Sequence, residues 1–125
     1  MARGEAFTRE QLDRLERTRQ AVEAQTGIRF VVRVGSVDGD AKLTAERMLA
    51  NLVDPKQDAG VLILVSPGQR FVHVVTTQAA KRRISDSAAG LATLAMTSSF
   101  ALGDLVGGII NGLRQLADAA GAAAP

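Results

Sequence analysis

Val61-Leu62-Ile63-Leu64-Val65, set between Asp58-Ala59-Gly60 and Ser66-Pro67-Gly68, is the stretch that decides the fold. An uninterrupted apolar run bounded by turn residues reads as a central strand buried on both faces. A strand of that kind needs covering elements on both sides of its sheet. Pro67-Gly68 supplies the turn that follows, Pro fixing φ at one position and Gly accepting positive φ at the next. The chain then returns through Phe71–Val75 as the second arm of a hairpin.

Upstream, Ile28 to Val34 alternates, with Ile28, Phe30, Val32 and Val34 on one face and Arg29, Val31 and Arg33 on the other. Period two with β-branched residues is a strand, and two arginines on one face imply that this face or edge meets water. Gly35 to Asp40 is a turn, after which Asp38 or Asp40 caps a short helix carrying Leu43, Leu49 and Leu52, with Met48 alongside. Asp54-Pro55 breaks that helix. Strand, helix and central strand form a β-α-β unit, expected to be parallel and right-handed, so the sheet is mixed. The first element begins at Thr8, where Thr8-Arg9-Glu10-Gln11 is a capping box with Phe7 and Leu12 at staple spacing. Leu12, Leu15 and Val22 make its apolar stripe, and Gly27 ends it.

Downstream of Thr76, a short segment around Gln78–Arg83 leads to Ser85-Asp86, which opens a helix expected to pack through Leu91, Leu94, Ala95 and Ser98. Phe100-Ala101-Leu102-Gly103 interrupts it, and Asp104 opens a last helix with Leu105, Ile109, Leu113 and Leu116 as its stripe. Gly103/Gly107 and Gly108/Gly112 repeat small residues four apart, which predicts close packing within the chain rather than a dimer seam. The Ala-rich tail after Ala117 is expected to fray. The expected architecture is α/β: residues 1–125 as one domain, ordered over about 7–117, an α/β/α sandwich around a small mixed sheet in the order α-β-α-β-β-α-α.

Composition narrows the function classes. The 125 residues contain no Cys, Trp or Tyr, four Phe and one His. Thiolate chemistry, His-pair metal sites and aromatic stacking platforms for single-stranded nucleic acid are therefore excluded. No phosphate loop, dinucleotide-binding glycine motif or Gly-x-Ser-x-Gly elbow occurs. The net charge is +2, and twelve of the fifteen cations are Arg, a skew that fits GC-rich coding better than phosphate binding. The one dense basic run is Lys81-Arg82-Arg83. It reads as solvated surface, with binding to an anionic surface as the functional alternative, and no nucleic-acid partner is expected. The N-terminus lacks an apolar leader core, and the uncharged stretch between Asp86 and Asp104 is diluted by Ser, Thr and Gly, so no transmembrane segment is expected. Taken as complete, the chain is expected to be cytoplasmic, a monomer or weak homodimer.

The candidate chemical groups each have a structural alternative. His73 shares a strand face with Phe71 and Val75, which makes it a core or rim residue before it is a catalyst. Asp38-Gly39-Asp40 offers oxygens to a hard cation but lacks the rest of a calcium loop, so capping is the stronger reading. Asp86 and Asp104 each precede a helix. If those ends converge, the two carboxylates form a metal site; otherwise they are independent caps.

Leu64-Val65-Ser66-Pro67-Gly68-Gln69-Arg70, the valine-rich strand, Ile84-Ser85-Asp86-Ser87-Ala88-Ala89, and Phe100 to Ile109 resemble the TPM domain. That family is named for a thylakoid-lumen phosphatase, a photosystem-repair protein and a nematode receptor modulator. Within it, the chain looks like small actinobacterial relatives filed as a domain of unknown function. The resemblance covers about Gly27 to Leu116 and implies a compact α/β/α sandwich. It also implies links to weak acid phosphatase activity, calcium binding and accessory roles in membrane-complex repair or assembly. The chain is expected to depart from the usual pattern in having no signal peptide or C-terminal anchor, and it carries Thr76-Thr77-Gln78 where a glycine-rich turn is usual. The resulting expectation is a non-catalytic interaction or accessory module with an unknown protein partner, no catalytic residue and no cofactor. The alternative is a weak metal-assisted phosphatase using Asp86 and Asp104, with weakly held Ca2+.

Overall fold

The computed structural model describes residues 7–123. The elements are α1 (Arg9–Thr26), β1 (Arg29–Val34), α2 (Ala41–Leu52), β2 (Gly60–Ser66), β3 (Phe71–Thr76), α3 (Gln78–Lys81), α4 (Asp86–Ala101) and α5 (Leu105–Ala120). The sheet order is β1-β2-β3, with β1 parallel to β2 and β3 antiparallel to it. Every residue of β2 is buried, as its unbroken apolar run requires. The expected α/β sandwich is therefore present, with α3 as a short added turn of helix.

The alternation of the strands divides the core in two. Phe30, Val61, Ile63, Val65 and Val72 face α1, α4 and α5, while Val31, Leu62, Leu64 and Val75 face α2. The predicted capping box holds α1: the Gln11 amide donates to Thr8 Oγ1 at 3.1 Å, and the Thr8 amide donates to Gln11 Oε1 at 2.9 Å. Gly27, at φ +74°, ends the helix in the left-handed conformation that a side chain resists.

Three sequence expectations are corrected. The buried face of α4 carries Ala92 and Met96, whereas Leu91 and Leu94 are 60% and 64% exposed. The cause is the neighbouring helix: a Cβ on Gly108 would lie 2.8 Å from Ser99 Cβ, and one on Gly112 would lie 2.5 Å from Met96 Sδ. At so close an approach only small or slender side chains fit between the two helices. Leu12 and Leu43, assigned to apolar stripes, are likewise exposed, at 48% and 43%. Finally, the chain beyond Ala117 continues as helix to Ala120, and the Ala123 amide donates to the Gln25 carbonyl at 2.8 Å. No helix among the described residues is long and apolar enough to cross a membrane.

Candidate functional site

Asp86 and Asp104 do not share a site. Asp86 stands in the first turn of α4 and Asp104 caps α5, and the two helices run antiparallel through a short connection. A 16-residue helix is about 24 Å long at 1.5 Å per residue, so the two carboxylates lie at opposite ends of the hairpin. Asp104 Oδ1 accepts from the Gly107 amide at 2.9 Å, while Asp86 Oδ1 stands 3.8 Å from Lys81 Nζ, both side chains well exposed. No group of three or more His, Cys, Asp or Glu is placed to hold a metal among the described residues.

The basic run is not one surface. Lys81 and Arg82 are exposed, but Arg83 is half-buried beside the fully buried Ile84. Its guanidinium donates to the carbonyls of Thr26 (2.6 Å), Gly121 (2.9 Å), Ala122 (3.2 Å) and Ala120 (3.4 Å). Those carbonyls belong to the ends of α1 and α5, where unpaired oxygens and the negative pole of the helix dipole collect. Arg83 therefore joins two helix C-termini and is removed from the anionic-surface set.

Other candidate groups are occupied structurally. Asp40 Oδ1 accepts from the Leu43 amide at 3.0 Å and caps α2, the stronger of the two sequence readings. His73 sits half-buried against Phe71, ring centroids 5.2 Å apart. Ser66 Oγ donates to Gln69 Oε1 at 2.7 Å, and Gln69 bonds both the amide and the carbonyl of Val37 at 2.9 Å. This stitches the hairpin to the loop before α2. Thr77, in the Thr76-Thr77-Gln78 stretch that departs from the TPM-domain pattern, donates to the Asp58 carbonyl at 2.7 Å and accepts from the Gly60 amide at 2.9 Å.

The outer edge of β1 is an open feature with a groove beside it. The Arg29 amide donates to the Ala59 carbonyl and the Gly35 amide to the Val65 carbonyl. In a parallel ladder this sets the odd residues toward β2 and the even residues outward. At Phe30 the outward groups are taken: its amide donates to Glu23 Oε2 at 2.9 Å, and its carbonyl accepts from Arg19 Nη1 at 3.1 Å. Arg19 also bridges Glu16 at 2.7 Å and Glu23 at 2.8 Å. The hydrogen bond to Glu16, reinforced by both carboxylates, holds the guanidinium firmly protonated. Past this cluster the edge opens. The Val32 carbonyl takes only the neighbouring Arg33 guanidinium at 3.3 Å, and the outward groups of Val34 have no hydrogen-bond partner among the described residues. Beside them lies a groove of about 570 Å3, with Phe7, Leu12 and Leu15 on one wall and Arg29, Arg33 and Leu52 on the other. The sequence signal for it was the Arg29/Arg33 alternation. What sequence reasoning missed was the apolar wall supplied by α1.

This arrangement defines a three-stranded mixed-sheet α/β domain whose β1 edge is flanked by a groove. The chain belongs to the family described as domain of unknown function DUF5130, whose profile matches residues 2–117. An uncharacterised protein of Mycobacterium tuberculosis, present in two strains, is 35% identical over 89 residues, which is 71% of this chain and 52% of the relative. The chain thus spans about half the length of the curated relatives it matches. The fold is similar to that of the BA42 protein of the psychrophilic bacterium Bizionia argentinensis, at TM-score 0.79 and 18% identity over 91% of this chain and 81% of that one. It is also similar to the N-terminal domain of a P. gingivalis protein, at TM-score 0.74 and 18% identity over 90% of this chain and 75% of that one. At those identities the likeness concerns the fold alone.

Proposed function

We propose that this domain is a non-catalytic interaction module and that a partner engages it at the open edge of β1. The observation that carries the reading is the outward backbone of Val32 and Val34, left without a strand partner beside an accessible groove. An exposed edge of this kind is a template for another chain, and folds that do not use it cover, shorten or charge it. Here Arg19 and Glu23 close it only at Phe30. The resemblance of Leu64–Arg70, Ile84–Ala89 and Phe100–Ile109 to the TPM domain supports an accessory role of the kind linked to that family. Its phosphatase activity is not carried over, because Asp86 and Asp104 are held at opposite ends of α4.

The test is partner capture from cell extract with wild-type protein and with Val32→Pro. The Val32 amide points away from β2, so proline there removes an outward donor while sparing the ladder. A protein retained by the wild type and lost by V32P, with amide-exchange protection of Val32 and Val34 in the complex, is the expected result. Equal capture by both proteins overturns the reading.

A further inference from the structure

We propose that the edge of β1 accepts, as a fourth strand, an extended peptide segment that alternates acidic and apolar side chains. The proposal rests on the interaction-module reading and adds the chemistry of the partner. Main-chain bonding to an edge supplies affinity, and the alternating side chains of the added strand supply selectivity. The two walls of the groove differ in the way that this selectivity requires. Toward α1 the wall is apolar, made by Phe7, Leu12 and Leu15, with Glu16 neutralised by its bridge to Arg19. On the opposite face of the sheet the wall carries Arg29 and Arg33, both exposed.

Arg29 Nη1 donates to the Leu52 carbonyl at 3.2 Å, which fixes it beside the groove, and neither arginine has an acidic partner among the described residues. The two lie four residues apart on one strand face, about 13 Å at strand rise. A carboxylate of a strand added at Val32–Val34 would fall against Arg33, with Arg29 adding positive charge to the same sheet face, while the neighbouring side chains would point toward Leu12 and Leu15. The Arg19–Glu23 cluster ends the accessible edge at Phe30, so pairing is confined to the Val32–Val34 end.

Another occupant and another edge both fit less well. A second copy pairing antiparallel through the same edge would set Arg29 and Arg33 of both copies on one sheet face, and like charges across strands are destabilising. The other sheet edge, β3, reads Phe71-Val72-His73-Val74-Val75-Thr76 and has no alternating basic pair.

The probe is a synthetic acetylated and amidated peptide of alternating Val and Glu, compared with a version carrying Lys for Glu and one N-methylated along one backbone edge. Binding is read by amide chemical shifts of the labelled protein. The expected result is saturable binding with the largest shifts at Val32 and Val34. Affinity should fall about tenfold or more for the Lys peptide and for Arg29→Gln combined with Arg33→Gln, and weaken with added salt. Val32→Pro and peptide N-methylation should abolish binding, and Val74→Pro on the opposite edge should leave it intact. Because N-methylation leaves the protein unaltered, that arm stands even if V32P fails to fold.

Equal binding of the Glu and Lys peptides at β1 overturns the acidic partner and leaves the edge reading standing. Binding that survives both V32P and N-methylation overturns the edge itself, and with it the proposed function. Absence of saturable binding by the Glu peptide overturns the peptide chemistry, with extract capture still deciding the edge. Dimerisation abolished by V32P assigns the edge to a second copy and overturns the proposal. So does an affinity for the Glu peptide that rises tenfold or more when residues 1–6 are removed, which makes that segment the occupant.

Discussion

The guanidinium of Arg83 donates to the carbonyl of Thr26 at 2.6 Å, across 57 positions of sequence, and the same group reaches the carbonyls that end α5. One side chain thus closes the C-terminal ends of two helices. Hydrogen bonds to a charged group are worth about 1.5–3 kcal/mol, so Arg83→Ala should destabilise the fold by about that amount. Arg83→Lys should recover only part of it, because an ammonium cannot fork between several carbonyls. The adjacent Arg82→Ala should fall within about 0.5 kcal/mol of wild type. Denaturant midpoints of the three variants check this, and equal midpoints for R82A and R83A would refute the clamp.

The central strand carries the largest single contributions. Ile63 and Leu64 point to opposite faces of the sheet, into the α1/α4/α5 core and the α2 core respectively, and both are essentially inaccessible. Either Ile63→Ala or Leu64→Ala should cost about 2–5 kcal/mol through lost burial and the cavity left behind. The check is equilibrium unfolding. A cost below about 1 kcal/mol at either position is outside what a two-sided core strand allows.

Two glycines on the helical hairpin should respond with opposite sign. A Cβ at Gly108 meets Ser99 Cβ and Phe100 Cε1 at 2.8 Å, whereas one at Gly90 meets nothing within 4 Å. Ser99 Cβ is fixed to its backbone and cannot rotate aside. Gly108→Ala therefore forces α4 and α5 apart and should destabilise by about 1–3 kcal/mol, less the helix-propensity gain. Gly90→Ala keeps that gain alone and should stabilise by about 0.5–1 kcal/mol. Thermal melts of the two variants distinguish them, and stabilisation by both would refute the tight α4–α5 contact.

This contact also explains where sequence legibility stopped. β2 was readable because an apolar run between turn residues has few alternatives, and α1 because its capping box is local chemistry. The face of α4 was misread because the large residues Leu91 and Leu94 attract the assignment. The burial of Ala92 and Met96 is dictated instead by glycines on a different helix. Arg83 was misread for a similar reason. A basic run looks solvated, and only the tertiary fold brings the ends of α1 and α5 within reach of its last member. The β1 edge was half legible: the arginine alternation marks a wet face, but α1 builds the other wall.

Glu16 makes stability depend on pH in the acidic range. The hydrogen bond from Arg19 holds its carboxyl below the ordinary glutamate value. The folded state therefore takes up the proton less readily than the unfolded chain. The resulting stabilisation is complete above the ordinary glutamate range and is lost as pH falls through that range toward the lower folded value. Glu16 is half exposed, so the effect should stay under about 1 kcal/mol. Relative to Glu16→Gln, the wild type should be more stable near neutrality, and the difference should shrink on acidification below about pH 4. A difference that grows on acidification would have the wrong sign.

Asp104 and Asp86 should behave as independent residues, with and without calcium. Asp104 satisfies the Gly107 amide at the positive end of α5. Asp104→Ala should cost about 0.5–2 kcal/mol, and Asp104→Asn much less, because the amide oxygen can still cap. Asp86 contributes only through the first turn of α4 and an exposed, long contact with Lys81, so Asp86→Ala should cost less than Asp104→Ala. The residues stand a helix length apart, so the double variant should equal the sum of the single ones within about 0.5 kcal/mol. A cation shared between them would break that additivity. It would also need about six oxygen ligands, of which two carboxylates supply at most four. Adding millimolar calcium should therefore leave the double-mutant cycle additive and the melting temperature unchanged. A one-to-one calcium isotherm abolished equally by D86A and D104A would require the two ends of the hairpin to act as one site, contrary to the geometry of α4.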